Sequence, residues 1–221
     1  MYGLIFDVDG VIADTEAVNA AASIRMFADL FDLQGVKRED FEKGLGRGAE
    51  AYVRAAAEMH RLDMTVEQVA QATKVRQEYF LKVLRQDPLP PFPGVLELMN
   101  AALEREDFRV AIATSSTREK SEAVLQSAQI PYHKMAYITG SDVMHKKPHP
   151  ELFLKAAQRI EVPAMNCVVI EDAPNGVEAA HNADCKCIAV TNSTTDENLA
   201  QADLIVNSLT AVNLETVIRL I

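Results

Sequence analysis

Near the start of this 221-residue chain stands the sequence Leu4-Ile5-Phe6-Asp7-Val8-Asp9-Gly10. Its short apolar run predicts a buried β-strand, and Gly10 lets the chain turn sharply after it. Asp7 and Asp9 are two residues apart, so their side chains start on one side of the sheet. One carboxylate could act as a nucleophile and the other as a general acid/base. Alternatively, both could serve only as turn residues with Gly10. An EF-hand calcium loop is excluded, because Gly10 comes too early and no Glu occupies the twelfth position.

The sequence after residue 94 alternates between short apolar runs and helical stretches. Strands are predicted over 109–113, 137–139, 167–170, 187–190 and 204–206, and helices over 96–103, 119–128, 150–159 and 176–183. Such alternation is typical of a parallel sheet covered by helices. We therefore expect an α/β fold with a Rossmann-like parallel sheet core and an inserted α-helical domain.

The helical insert is indicated by a change in composition. Residues 13–85 are rich in alanine and have few β-branched runs, which favours helices. The stretch closes at Asp87-Pro88-Leu89-Pro90-Pro91-Phe92-Pro93-Gly94, where four prolines in six positions predict a stiff linker. We expect an α/β catalytic core over 1–13 and 90–221, and a helical insert over 14–89 that is bounded by hinge linkers and can move as a lid.

Composition and charge limit the classes of partner. The chain is 48% hydrophobic and 24% charged, as in ordinary globular proteins. Its formal net charge of −10 argues against nucleic acid as the main partner, because nucleic-acid binders usually carry a basic stripe. The net charge does not exclude a small anionic substrate, since a local cluster of cations can outweigh it.

The sequence contains no signal for a membrane or for secretion. The N-terminus lacks the basic region of a signal peptide, and no run of about 18 apolar residues predicts a transmembrane helix. The three cysteines, Cys167, Cys185 and Cys187, are few and odd in number, which favours buried structural roles in a reducing compartment. We therefore expect a cytoplasmic protein without a membrane partner, for which a monomer suffices.

Polar residues follow several predicted strands, at the edge where ligands bind in open parallel sheets. They are Asp7 and Asp9, then Thr114-Ser115-Ser116, then Glu171-Asp172, with Lys146 and Lys147 on a loop. Carboxylates that converge on one edge repel each other, and a divalent cation relieves the repulsion. Carboxylate oxygens are the ligands that Mg²⁺ prefers. The pattern thus indicates Mg²⁺ as cofactor, and a nearby lysine supplies a fixed positive charge for a phosphate or a nucleophilic carboxylate.

Four motifs, in this order, resemble those of the haloacid dehalogenase superfamily. They are Phe6-Asp7-Val8-Asp9-Gly10-Val11-Ile12-Ala13-Asp14-Thr15-Glu16, Ala111-Ile112-Ala113-Thr114-Ser115-Ser116, Lys147-Pro148-His149-Pro150 and Val169-Ile170-Glu171-Asp172-Ala173-Pro174-Asn175-Gly176. The resemblance covers almost the whole chain, and the helical insert looks like the superfamily's small helical cap. The most similar subgroup holds β-phosphoglucomutase and small sugar-phosphate phosphatases.

The resemblance implies a phosphoric monoester hydrolase that acts on a small phosphorylated metabolite, with a sugar phosphate as the favoured substrate. Asp7 would take the phosphoryl group as an aspartyl-phosphate, and Asp9 would be the general acid/base. Mg²⁺ would be held by the Asp7 carboxylate, the Asp9 backbone carbonyl and Asp172, with Glu171 in support. The residues that would bind the transferring phosphoryl group are Thr114 and Lys147. This chemistry mainly requires in-line positioning and neutralisation of charge.

Other residues are candidates for contact with the substrate. Arg47, in a glycine-rich loop, matches a cap arginine that contacts the distal phosphate in the mutase-like subgroup, although it could equally be solvated. Ser115 and Ser116 are the last two residues of the second motif, and Lys43 is a weaker candidate in the insert.

For some residues of the lysine loop and the second motif, more than one role is consistent with the sequence. Lys147 is preferred to Lys146 because it directly precedes Pro148, as in the motif. Thr114 could instead be a helix N-cap. His145 and His149 flank the lysine loop, where a role on the surface is favoured over a contact with substrate.

One departure from the subgroup bears on the reaction. β-Phosphoglucomutases carry a histidine five positions after the Asp of their Asp-Thr pair, and counting from Asp14 this position is Asn19 here. Lys74 and Arg76 both lie in the region of their second cap lysine, and the sequence does not decide between them. The departure favours a phosphatase over the alternative, a β-phosphoglucomutase. A binding module without activity is a third alternative, opposed by the competent residue at every catalytic position.

Overall fold

The structure, a computed structural model, describes residues 1–44 and 48–221 and divides into two compact units. The first unit comprises Met1–Asp14 and Leu89–Ile221, and the second comprises Thr15–Pro88. The chain thus leaves the first unit after a single strand and returns to it through the proline-rich segment.

The first unit is built on a six-stranded parallel sheet. Its strands are β1 (Tyr2–Phe6), β2 (Phe108–Ala113), β3 (Ala136–Ile138), β4 (Cys167–Glu171), β5 (Lys186–Val190) and β6 (Leu204–Val206). They lie in the order β3-β2-β1-β4-β5-β6, and every neighbouring pair is parallel. This order is that of the Rossmann fold, and it confirms the predicted fold class.

The two central strands, β1 and β4, bring the first and fourth motifs together. Leu4, Ile5 and Phe6 are fully buried, as expected for a strand covered on both faces. Phe6 pairs with Ile170, and the Asp7 N–H donates to the Ile170 carbonyl at 3.0 Å. The residues that follow both strands therefore emerge side by side, although more than 160 positions separate them in the chain.

The second unit is helical. It contains α1 (Thr15–Phe31), α2 (Ala49–Met59) and α3 (Val66–Gln86), with a 3₁₀ segment over Arg38–Gly44. These elements enclose an apolar cluster in which the Phe41 and Tyr52 rings stack at 4.5 Å. Helix α3 begins with a capping box, because the Thr65 side chain accepts from the Gln68 N–H while the Gln68 side chain accepts from the Thr65 N–H.

Five further helices belong to the first unit. They are α4 (Val95–Leu103), α5 (Arg118–Ser127), α6 (Glu151–Arg159), α7 (Pro174–Asn182) and α8 (Leu214–Leu220). Helix α6 buries Leu152, Phe153, Ala156 and Ala157 in a cluster that also contains residues of β1, β2 and β4. Among the described helices, none combines the length and the apolar character that a bilayer span requires. The three cysteines are free and buried, as predicted.

Two element boundaries differ from the predictions for identifiable reasons. Thr139 lies outside β3, because its N–H and its hydroxyl both donate to the Asp142 carboxylate and turn the chain. Helix α7 starts at Pro174 rather than at Gly176, because proline suits the first turn of a helix, where its missing N–H needs no partner.

Two leucines of α6 provide a direct test of the described packing. Leu152 is fully buried, whereas Leu154 is 44% exposed on the same helix. We expect Leu152→Ala to lower the free energy of unfolding by about 2–5 kcal/mol, because it leaves a cavity in the core. Leu154→Ala is the matched control and should change it by less than about 0.5 kcal/mol. Equal effects in urea denaturation would contradict this packing of α6.

Candidate active site

The candidate site lies at the carboxyl ends of β1, β2 and β4. Asp7 follows β1, Thr114 follows β2, Glu171 ends β4, and Asp172 follows it. All four residues are buried. Ligands of open parallel sheets bind at this edge, beside the point where the strand order reverses, and here that point is the β1–β4 pair.

The centre of the site is the ammonium group of Lys147. Its Nζ donates to Asp7 Oδ1 at 2.6 Å and to Glu171 Oε1 at 2.5 Å, and the side chain is only 6% exposed. Lys146 is exposed, whereas Lys147 contacts two of the predicted site carboxylates. A lysine that is buried this deeply requires charged partners, which the two carboxylates provide.

Glu171 uses both of its oxygens within the protein. Oε1 accepts from Lys147, while Oε2 accepts from the N–H groups of Asp172 (2.8 Å) and Ala173 (3.0 Å). A Cβ atom at Gly176 would overlap the Glu171 carboxylate, so this position of the motif must be glycine. Glu171 is predicted to support the metal ion, and the contact that the structure shows is with Lys147.

Asp172 is held from the other side by a residue that the sequence analysis missed. The Ser193 hydroxyl donates to Asp172 Oδ2, and the Asn192 amide donates to the Gly10 carbonyl at 2.8 Å. Gly10 has a φ of +77°, and a Cβ atom there would overlap both Asp172 and Ser193. Asn192 and Ser193 follow the end of β5, so the rule that found the other strand-end residues would also have found these two.

The Asp9 carboxylate is fixed by two residues near the start of α5. Ser116 Oγ donates to Asp9 Oδ2 at 2.5 Å, and Lys120 Nζ donates to Asp9 Oδ1 at 2.8 Å and to Ser116 Oγ at 3.3 Å. Lys120 was not among the predicted site residues. One signal could have found it, since a lysine in the first turn of a helix opposes the helix dipole and so requires a compensating anion.

The strand-end hydroxyls differ in their surroundings. Thr114 Oγ1 accepts from the Ser116 N–H at 3.1 Å. The alternative that Thr114 caps a helix is wrong, because Thr117 is the N-cap of α5 and accepts from the Lys120 N–H. The Ser115 hydroxyl is buried and has no hydrogen-bond partner among the described residues. Such a group can donate to a ligand oxygen without first breaking a bond within the protein.

Burial dominates the protonation of the site. It raises the pKa of Asp7 to about 7, against the opposing effect of Lys147 and with the help of Glu171 and Asp9. Burial, Glu171 and Asp7 likewise raise the pKa of Asp172 well above its usual range. Burial disfavours the charged form of Lys147, but Asp7 and Glu171 outweigh it and raise the pKa of this lysine. Without a further cation, the aspartates are therefore costly to ionise.

The residues present suit a magnesium ion. Asp7, Glu171 and Asp172 place three buried carboxylates against the single ammonium of Lys147, which leaves two negative charges uncompensated when all are ionised. Buried charges of this kind are normally paired or bound to a metal. The available donors are carboxylate and carbonyl oxygens, which favour Mg²⁺ over ions that prefer nitrogen or sulfur.

Comparison with known proteins agrees with this geometry. The model of the haloacid dehalogenase-like hydrolase family matches residues 4–190, which include all four motifs. The chain belongs to this family. The family and the hydrolase class predicted from the sequence are thereby confirmed.

Three relatives of this haloacid dehalogenase-like hydrolase are informative. The probable phosphatase IndB of Dickeya dadantii is 30% identical over 214 residues, which are 95% of this chain and 90% of that protein. The chloroplast protein Suppressor of quenching 1 of Arabidopsis thaliana is 31% identical over 202 residues, and the chain spans about a fifth of its length. A crystal structure of CbbY from Rhodobacter sphaeroides with xylulose-1,5-bisphosphate is 26% identical, with a TM-score of 0.85, and the match covers 98% and 99% of the two chains.

The remaining predicted residues of the hydrolase lie in the second unit. Lys43 is exposed near the end of the 3₁₀ segment, and Arg47 lies outside the described residues. Asn19, the position of the mutase histidine, accepts through Oδ1 from Arg76 at 2.8 Å. Arg76 is buried, also donates to Ser23 Oγ and lies 4.7 Å from the centre of the Tyr52 ring. The side chain at position 19 is thus held by a network within its own unit.

The raised pKa of Asp7 predicts how the metal-free hydrolase responds to pH. The folded state holds a proton on Asp7 up to about pH 7, whereas the unfolded chain releases it near pH 4. Stability should therefore fall as the pH rises through this window, and Asp7→Asn should remove this loss. In EDTA above pH 7 we expect Asp7→Asn to be more stable than the wild type by about 1–3 kcal/mol.

The control is Asp63→Asn, at an exposed carboxylate of the second unit. Thermal unfolding from pH 4 to pH 8 measures both variants. The advantage of Asp7→Asn should grow with pH and then level off, while Asp63→Asn should follow the wild type. If the difference in stability between Asp7→Asn and the wild type were the same at every pH, burial would not raise the pKa of Asp7.

Proposed function

We propose that this hydrolase is an Mg²⁺-dependent phosphatase that acts on a small phosphorylated metabolite, most suitably a sugar phosphate. The observation that carries the proposal is the buried Asp7 carboxylate, joined at 2.6 Å to the ammonium of Lys147 and placed beside Asp172. A buried carboxylate next to a fixed cation can serve as a nucleophile, and the same cation can neutralise a transferring phosphoryl group.

The residues that would hold Mg²⁺ are Asp7 and Asp172 through their carboxylates and Asp9 through its backbone carbonyl, with Glu171 in support. When bound, the ion supplies positive charge that balances the carboxylates and the phosphoryl oxygens. The raised pKa values of Asp7 and Asp172 support this assignment, because a cation here would keep both groups ionised at neutral pH.

The reaction we propose has two displacements at phosphorus. In the first, a carboxylate oxygen of Asp7 attacks, the bond from phosphorus to the ester oxygen breaks, and Asp9 gives its proton to that leaving oxygen. In the second, water attacks the aspartyl-phosphate, Asp9 takes a proton from this water, and the bond between Asp7 and phosphorus breaks. Inorganic phosphate leaves, and Asp9 is again protonated.

The surrounding side chains would position these groups. Lys147 orients Asp7 and offers charge to the phosphoryl oxygens, and Thr114 and Ser115, which follow β2 at the same edge of the sheet, have hydroxyls that could donate to these oxygens. Ser116 and Lys120 each hold one oxygen of ionised Asp9, which is the form that takes a proton from water in the second displacement. Pre-set donors of this kind act without a reorganisation cost during the reaction.

The substrate class rests on the relatives and on one position in the second unit. CbbY, of similar fold, has been crystallised with a sugar bisphosphate, xylulose-1,5-bisphosphate. The second unit occupies the place in the sequence where the family carries its helical cap, and we assign it that role. Asn19 replaces the histidine of the mutases and is engaged by Arg76, which supports a phosphatase over a β-phosphoglucomutase.

We also propose that a single chain suffices for catalysis, because the reacting residues all belong to its first unit. The cytoplasmic location stays a prediction from the sequence.

A panel of phosphorylated metabolites tests the proposed activity. With Mg²⁺ we expect phosphate release from at least one sugar phosphate, reversible loss of activity in EDTA, and no activity in Asp7→Asn. Asp63→Asn should retain full activity. Conversion of β-glucose 1-phosphate to glucose 6-phosphate with a bisphosphate primer would instead establish the mutase. Full activity in Asp7→Asn, or inertness across the panel, would reject the phosphatase.

Lys120 gives a second test, since it would act by positioning Asp9. We expect Lys120→Met to lower kcat about 10–100-fold, because one anchor of the general acid/base is lost, while KM changes less. Lys120→Arg should recover part of the loss. The matched control is Lys186→Met, which breaks an exposed ion pair with Asp203. A large rise in KM at unchanged kcat would show that Lys120 binds substrate rather than positions Asp9.

A further inference from the structure

A second group of ligating side chains surrounds the lysine loop on the outside of the first unit. His145 and His149 lie two residues before and two residues after Lys147, and Glu151 is the first residue of α6. One potential ligand atom from each of the three lies within 4.8 Å of the others. The proposed reaction uses neither histidine.

The three side chains already face one another. His145 Nδ1 lies 3.2 Å from Glu151 Oε2, and the ring centres of His145 and His149 are 4.5 Å apart. His149 Nδ1 accepts from the Glu151 N–H at 3.2 Å, so this ring is also tied to the start of α6. Both histidines are exposed, and their rings can turn towards a shared ion without disturbing the core.

Glu151 is suited to remain an anion at this place. The Lys155 ammonium and the N–H groups of His145 and Met144 lower its pKa to about 2. Lys155 lies 2.7 Å from Glu151 Oε1, but it is 41% exposed and also donates to the Asp142 carbonyl. An ion could therefore displace the lysine from Glu151 without leaving its ammonium unpartnered.

We propose that His145, His149 and Glu151 form a second metal site, which takes Zn²⁺ or a similar transition-metal ion. Two imidazoles and one carboxylate are a ligand set that zinc accepts, with a water molecule in the fourth position. Ions such as Mg²⁺ prefer oxygen ligands and gain little from imidazole. A bound ion would tie both ends of the Lys147 loop to α6.

The competing sites for zinc in the described chain can be controlled. The three cysteines are buried, so they are poor competitors in the folded protein. The carboxylates around Asp7 could take zinc, and an excess of Mg²⁺ together with an Asp172→Asn background removes that contribution. His133 is exposed and lies outside the cluster, so His133→Gln removes one imidazole as a matched control.

Zinc binding to the full-length protein in excess Mg²⁺, measured by calorimetry, tests the proposal. We expect one zinc ion per chain, and at least tenfold weaker binding in His145→Gln and in His149→Gln. His133→Gln and Asp172→Asn should bind as the wild type does. Thermal unfolding verifies that each variant is folded, and cobalt, followed by its visible absorption, reports nitrogen ligation independently.

Two results would overturn the second site. One is the absence of zinc binding to the wild type. The other is zinc binding that persists in the double variant His145→Gln/His149→Gln. Zinc would then be held elsewhere in the protein, whatever the result for Asp172→Asn. Because none of these readouts uses phosphate release, they stand apart from the test of the phosphatase.

Discussion

A lysine ammonium held between two buried carboxylates is the interaction on which the candidate active site depends. Moving Lys147, Asp7 and Glu171 out of water costs several kcal/mol per ion, and only close contacts among them offset this cost. The requirement fixes three separate parts of the chain at once: the end of β1, the end of β4 and the loop before α6. Removing Lys147 would leave both carboxylates buried without a cation, so the three positions are constrained together rather than singly.

The parallel sheet brings these residues to one edge, and two glycines leave room for the carboxylates to lie close to the backbone. Because β4 pairs directly with β1, residues that are far apart in the sequence emerge at one edge. Their carboxylates can then approach the backbone only where no Cβ atom intervenes, at Gly10 beside Asp172 and at Gly176 beside Glu171. The motif glycines are thus a steric condition for the charge cluster as well as residues of a turn.

The fold and the strand-end residues could be predicted from sequence because both follow from local patterns. Apolar runs mark the strands, and an acidic residue after a strand must lie at the sheet edge. Lys120 could not be found in that way, since its contact depends on how the start of α5 lies against Asp9. The hydrogen bonds that occupy both carboxylate oxygens of Glu171 likewise arise only in the folded chain, and from the sequence only the charge of this residue could be predicted.

Charge balance explains how one chain could separate two kinds of metal ion. The cluster at the sheet edge has two uncompensated negative charges in a buried setting, which strongly favours a hard cation with oxygen ligands. The histidine cluster has a single carboxylate already paired with Lys155, so electrostatic attraction for a cation is weak there. Binding at the second cluster would have to come from nitrogen coordination, which Mg²⁺ cannot exploit. Ligand chemistry would therefore keep Mg²⁺ from the histidine cluster, while charge would draw it to the sheet edge.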